Sequence, residues 1–168
     1  MTQRNFDVAL RKGAVGEQVV RAFLERAGWV VYQPMTEGAH CFDMLCIKGK
    51  RTAVAFDVKA KARLNRYPAT GINQRHFEEY AAFSDKHRMP FWVVFVDEGM
   101  RAVYGNTIEQ LEIPRTVEGR EYPVVMPWKV PTRLWPLEAM RPIHTLTEEQ
   151  AATLAALNQR SYGYEVSA

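Results

Sequence analysis

Val15, Val19, Ala22, Phe23 and Ala27 recur at three- and four-residue steps, and Gly28 follows as a stop. That spacing lays one apolar stripe along a helix and predicts one over Ala14 to Ala27. Trp29 to Gln33 then reads as a short strand. Two longer β runs, Cys41 to Ile47 and Thr52 to Ala60, flank the polar tetrad Lys48-Gly49-Lys50-Arg51, whose glycine marks a hairpin turn. Ala62 to Ile72 has Arg, Asn, Tyr, Pro, Thr and Gly without a period, and is expected to be a loop of the length at which loops often carry function. Asn73 suits the cap of a second helix, Gln74 to about Lys86, with Phe77, Tyr80, Ala81 and Ser84 in one row.

Pro90 opens Phe91 to Val96, an unbroken apolar run of the kind buried on both faces of a sheet. Asp97-Glu98-Gly99 turns it into Met100 to Tyr104, and the two acids need no role beyond that turn. Thr107 with Gln110 forms a capping box for one short helical turn, and Thr147 with Gln150 opens a final helix to about Asn158. Between them, Pro114 to Pro142 holds six of the nine prolines together with Trp128 and Trp135. Apolar content with that much proline predicts an extended strap lying on the domain. The order is α, β, β, β, α, β, β, an α/β class with a mixed sheet flanked by helices. The expected organisation is a core over residues 1–112 with a strap and helix, 113–168, packed on it as a single domain.

Composition narrows the class. With 168 residues, 47% of them apolar and 24% charged, the chain resembles ordinary globular domains and is neither disordered nor fibrous. No apolar run approaches the roughly 20 residues of a membrane span, and the polar stretch from Met1 to Lys12 lacks a signal-peptide core, so a cytoplasmic protein without a membrane partner is expected. Cys41 and Cys46, five apart in an apolar segment, fit reduced core thiols rather than a CxxC pair. Residues 1–76 carry 13 Lys and Arg against 6 Asp and Glu, within a net charge of only +3, so the basic excess is local. A one-sided positive field suits a polyanion, although ordinary solvated surfaces also show such an excess.

The candidate chemistry lies on two strands. Asp43 and the trio Asp57-Val58-Lys59 put charge inside runs that otherwise read as core. Side chains alternate along a strand, so Asp57 and Lys59 share one face and Phe56 and Val58 the other. If the tetrad pairs the two strands, Asp43 and Asp57 lie close together, and two neighbouring carboxylates either hold a cation such as Mg²⁺ or pair with nearby Lys and Arg at a sheet edge. Serine-hydrolase, HExxH, zinc-finger and dinucleotide-loop patterns are absent from the sequence; His40, three residues before Asp43, fits a turn better than a ligand.

These residues resemble the PD-(D/E)xK nuclease superfamily, and within it the archaeal Holliday junction resolvases and related small endonucleases. The resemblance runs over about residues 10–112. It is carried by Gly16-Glu17 in the first helix, Phe42-Asp43 on the second strand, Asp57-Val58-Lys59 on the third, and Gln74 at the start of the following helix. It departs from the pattern where Phe42 replaces proline and where Asp57 takes the place more often held by glutamate.

The resemblance implies a restriction-endonuclease-like αβββαβ core. It also implies a catalytic set of Glu17, Asp43, Asp57, Lys59 and Gln74, in which Asp43, Asp57 and Glu17 bind Mg²⁺, with Mn²⁺ as substitute, and Lys59 partners the attacking water. Glu17 also reads as a first-turn acid favoured by the helix dipole, and Gln74 as a neutral helix-start residue. Lys61, Arg63, Arg66 and Arg75 with Tyr67 fit phosphate contacts and base stacking, or a solvated basic loop. The implied activity is Mg²⁺-dependent hydrolysis of DNA phosphodiester bonds, with branched DNA such as a junction or flap as one substrate class and a homodimer compatible with it. The alternatives are a catalytically inactive DNA-binding or assembly subunit of the same fold, and an RNA-cleaving nuclease.

Overall fold

In the computed structural model, which describes residues 3–35, 40–50, 52–65 and 67–162, the first helix α1 spans Gln3–Arg26 rather than beginning at Ala14. The added turns mix Phe6, Val8 and Leu10 with polar and charged residues, and Leu10 is exposed, so their pattern alone marks no buried face. They are held by tertiary contacts instead, because the buried Lys12 ammonium donates to Glu98 Oε1 at 2.8 Å and to Asn158 Oδ1 at 2.7 Å.

Strands β1 (Val30–Tyr32), β2 (Met44–Lys48) and β3 (Thr52–Ala60) form an antiparallel meander, with the β2–β3 turn at Gly49, whose φ of +63° favours glycine. After β4 (Ala69–Asn73) and α2 (Gln74–His87), β5 (Phe91–Asp97) returns parallel to β3. It is followed by β6 (Ala102–Thr107) and the short α3 (Ile108–Leu111). The main sheet has six strands in the order β1-β2-β3-β5-β6-β11, where β11 is Arg141–Thr145. Helix α4 (Glu148–Tyr162) closes the chain.

Both faces of this sheet are covered. Val19, Val20 and Leu24 of α1, with Leu146 and with Ala151 and Leu154 of α4, pack on Val54, Phe56, Val58, Val94 and Val96. On the other side Tyr80 of α2, Ile108 and Leu111 of α3, and Trp135 meet Ala55, Phe91, Val93 and Phe95. The alternating residues of β5 thus feed two cores, which is why its sequence is apolar without interruption. Among the described residues no helix is long and apolar enough to cross a membrane.

Two expectations are corrected. The loop read over Ala62 to Ile72 ends at Pro68, because Ala69–Asn73 is a strand paired antiparallel with β10 (Thr132–Pro136), a partner about 60 residues away. The Pro-rich strap is also more regular than its lack of period suggests. It forms a hairpin of β7 (Arg115–Val117) and β8 (Arg120–Tyr122), then β9 (Val124–Met126) against β10, then β11 on β6. Pro142 is tolerated because β11 is an edge strand with a register shift at that point.

Asp97 and Glu98 likewise do more than make a turn. Asp97 Oδ1 accepts from the Met100 N–H at 3.0 Å, and Oδ2 accepts from the Arg63 N–H at 2.9 Å and the Tyr104 hydroxyl at 3.1 Å. Glu98 receives Lys12 and the Asn158 side-chain amide.

Candidate active site

Met44 pairs with Phe56, and the Asp43 N–H also donates to the Phe56 carbonyl, at 2.8 Å, so residues 43 and 44 both face Phe56 and the regular β2–β3 register ends at Met44 rather than taking in Asp43. Asp43 thus sits just before β2 and not on it, with its carboxylate close enough to Asp57 on β3 for the two charges to repel. Asp43 Oδ2 accepts from the Val58 N–H at 2.7 Å, so its carboxylate is fixed against the same strand. Asp57 is only 3% exposed. Its Oδ1 accepts from the Lys59 ammonium at 2.8 Å, while Oδ2 is buried without a hydrogen-bond partner.

The third carboxylate comes from α1. A Cβ on Gly16 would lie 2.8 Å from Cβ of Ala60 and 3.7 Å from Val96 Cγ2, so glycine lets this helix approach β3 and β5 closely. Glu17, the next residue, is thereby brought within the field of Asp43, Asp57 and Lys59. Burial first, then Asp43 and Asp57, hold the Glu17 carboxyl above its usual range. Burial first, then Asp57, does the same to Asp43, against the opposing pull of the Val58 N–H and Lys59.

Sequence reasoning missed two members of this neighbourhood. Tyr80 had read only as part of an apolar row. Its ring stacks on Phe91 at 4.5 Å with the Lys59 ammonium 6.0 Å from the ring centre, and its hydroxyl faces Asp57. Burial, then Asp57, push the phenol up. The usable signal was a tyrosine at a core position, since a buried hydroxyl requires a partner. His76 stacks beside Tyr80 at 6.2 Å, and burial followed by Lys59 lowers its pKa. His40 lies near enough to Asp43 to favour its ionised form.

The remaining candidates are spread out. Gln74 donates from Nε2 to Glu78 Oε1 at 2.9 Å, while its Oε1 is buried without a partner. The Lys61 ammonium does not face solvent. It donates to the Gly71 carbonyl and sits 5.7 Å from the Phe95 ring centre, and burial lowers its pKa to about 8. Arg63 is exposed at a loop pinned by Asp97, and Arg75 is exposed with Glu79 3.5 Å from its Nε. Tyr67 is half-buried at the far end of that loop, and Arg66 lies outside the described residues.

Among the described residues no three His, Cys, Asp or Glu side chains close into a metal-ligand set. The donor chemistry nevertheless fits a divalent cation. Mg²⁺ keeps several waters and takes one or two carboxylates, and here two fixed carboxylates and a third nearby repel one another while one buried oxygen lacks any partner.

No protein-family model matches the chain, and no curated protein does. Solved structures do match, and the first of them shares with this chain a mixed sheet flanked by helices, the fold class expected from the sequence. The Holliday junction resolvase Hjc of the archaeal hyperthermophile Archaeoglobus fulgidus superposes with a TM-score of 0.53 at 17% identity, over 76% of this chain and 90% of that one. A nuclease from a fusselovirus gives a TM-score of 0.46 at 10% identity, over 90% of this chain and 94% of the other. At these identities the likeness is one of fold.

Proposed function

We propose that the chain is a Mg²⁺-dependent nuclease hydrolysing phosphodiester bonds in DNA. The observation that carries this reading is the juxtaposition of Asp43, Asp57 and Lys59: two carboxylates within each other's field, an ammonium on one of them, and a buried carboxylate oxygen without a partner. Asp43, Asp57 and Glu17 would hold the cation, with Mn²⁺ as a substitute. When bound, such a cation lowers the pKa of a coordinated water and offsets charge building on a phosphate.

The chain's own residues supply the rest. Lys59 holds a positive charge beside the Asp57 carboxylate, where it orients an attacking water and stabilises the added charge of the pentacovalent phosphorus. The Tyr80 ring lies 6.0 Å from this ammonium, at the limit of a cation–π contact. The fold it shares with a Holliday junction resolvase makes branched DNA the first substrate class to examine.

The test is a panel of labelled DNAs (duplex, nicked, flap and four-way junction) with an RNA strand alongside, incubated with Mg²⁺ or EDTA. Cleavage of DNA with Mg²⁺, absent in EDTA and lost in Asp57→Asn, is expected. Cleavage that persists in Asp57→Asn would remove the site assignment, and cleavage of the RNA alone would reassign the substrate.

A further inference from the structure

The hairpin β7–β8 lies in the Pro-rich strap, outside the αβββαβ core, yet it reaches the loop that follows the strand of Asp57 and Lys59. The guanidinium of Arg120, an exposed residue on β8, lies 4.2 Å from the centre of the Tyr67 ring, within stacking distance. Leu64 and Tyr67 pack against Val117, Tyr122 and Leu134, so loop and hairpin form one body. The loop doubles back through a Leu64 N–H bond to the Ala69 carbonyl at 3.0 Å and is anchored at Arg63 by Asp97. Eight residues of extended chain span at most about 28 Å, and the reversal at Leu64 makes the separation of Tyr67 from Lys59 shorter than that.

Tyr67 and Arg120 line a cleft of about 440 Å³ whose floor is apolar, made by Val124, Met126 and Leu134, with Glu121 at its edge. A second cleft of about 320 Å³ shares Tyr67 as a wall and is lined by Arg63 and Asn65. The chemistry of the pair is specific. An apolar floor, an aromatic wall, a planar cation and one carboxylate acceptor suit a flat heterocycle with amino groups on its edge. The adjoining arginine and amide suit the phosphate attached to it. A guanidinium held 4.2 Å from a ring centre is already partly ordered, so less side-chain freedom is lost when a base stacks there.

We propose that the Tyr67–Arg120 pair is a subsite for an unpaired nucleobase of the DNA strand being cut, and so selects gapped, flapped or branched DNA over continuous duplex. The proposal rests on the nuclease reading above. A base within a duplex is stacked on both sides and cannot enter the cleft without being unstacked, whereas an unpaired base enters at no such cost. Base stacking on a protein aromatic commonly changes affinity by about tenfold or more on alanine substitution.

The experiment uses the full chain carrying Asp43→Asn, so that DNA is bound and not consumed, with two probes at one salt concentration: a duplex, and the same duplex with a two-nucleotide gap containing 2-aminopurine. Tyr67→Ala and Arg120→Ala, each added to this background, are expected to weaken binding to the gapped probe by about tenfold or more and to the duplex by less than about threefold. Tyr67→Phe should restore the gapped affinity, while Arg120→Lys, which keeps the charge without the plane, should not. The 2-aminopurine fluorescence should be quenched by the Asp43→Asn chain and released in Tyr67→Ala. Equal losses on both probes, or no loss on either, would overturn the subsite and leave the nuclease reading standing. Failure of the Asp43→Asn and unsubstituted chains alike to bind either DNA would overturn both.

Discussion

The Lys59 ammonium lies 2.8 Å from Oδ1 of Asp57, two residues back on the same strand, and leaves Oδ2 of that carboxylate buried and unpaired. A cation of the chain thus occupies one oxygen, while the other is the acceptor a second cation would use. Lys59→Ala should therefore slow Mg²⁺-dependent cleavage by about 100-fold or more without weakening Mg²⁺ binding, because it removes a group that stabilises the transition state and no cation ligand. Calorimetry measures the Mg²⁺ affinity; its loss in Lys59→Ala would mean that the lysine holds the carboxylates in place and has no part in the chemistry.

The carboxylates also set a pH dependence. Asp43 and Glu17 both lie above their ordinary values of 3.8 and 4.5 in the folded chain. The folded state therefore holds protons that the unfolded chain has released, and the stability these groups contribute is full below the ordinary values and lost as pH rises through the raised ones. Asp43→Asn cannot lose a proton and keeps an oxygen for the Val58 N–H. Its Tm at pH 7 should exceed that of the unsubstituted chain, and the gap should close towards pH 4. Mg²⁺ should in turn raise the Tm of the unsubstituted chain more at pH 7 than at pH 5. Thermal scans across pH, with Mg²⁺ and with EDTA, check both.

Gly16 sets how closely α1 lies on the sheet. Gly16→Ala gains helix propensity but forces a contact of 2.8 Å with Ala60, and overpacking of this kind commonly costs about 1–3 kcal/mol. The variant should be less stable and, because Glu17 moves with the helix, lose more activity than stability. Adding Ala60→Gly removes the clash and should recover most of the activity; a double-mutant cycle showing no coupling would place the two residues apart in solution.

Lys61 and Arg63 belong to one basic stretch yet should behave oppositely. The Lys61 pKa falls from 10.5 to about 8, so between those values the unfolded chain binds the extra proton and this residue's contribution to stability rises with pH. Lys61→Met should flatten that rise in a denaturation series and leave the salt dependence of DNA binding nearly unchanged. Arg63→Ala should instead reduce the slope of log affinity against log salt by about 0.9 on duplex DNA, with Arg21→Ala on α1 as the distant control. Equal slopes for Arg63→Ala and Arg21→Ala would move the DNA path away from this loop.

The strap should be inseparable from the rest. Truncation after Glu112 removes β10 and β11 and so uncovers the edges of β4 and β6, and it takes away Trp135, a fully buried side chain. The fragment is expected to be insoluble. Trp135→Ala, a milder change, should cost about 3–5 kcal/mol in denaturant titration.

Local pattern alone determined the meander, the turn at Gly49, the doubly buried Phe91 strand and the hairpin that brings Asp43 near Asp57. Those features follow from side-chain periodicity and from a short hairpin, where near neighbours in sequence are neighbours in space. It also singled out Asp43, Asp57 and Lys59 as charges inside apolar runs, while only the family resemblance added Glu17. Tertiary structure alone decided the features whose partners lie far along the chain. Ala69–Asn73 becomes a strand because Thr132–Pro136 lies beside it, and the first turns of α1 are helical with Lys12 buried on Glu98 and Asn158. Lys61, basic in sequence, is turned inward onto Gly71, while Tyr80 reaches Asp57 from helix α2 packed on the same face of the sheet and Arg120 reaches Tyr67 from a hairpin more than fifty residues away. Neither a backbone hydrogen bond nor a side-chain stack between distant segments leaves a period in either segment, so a charge or a ring shows its chemical type in the sequence and its partner only in the fold.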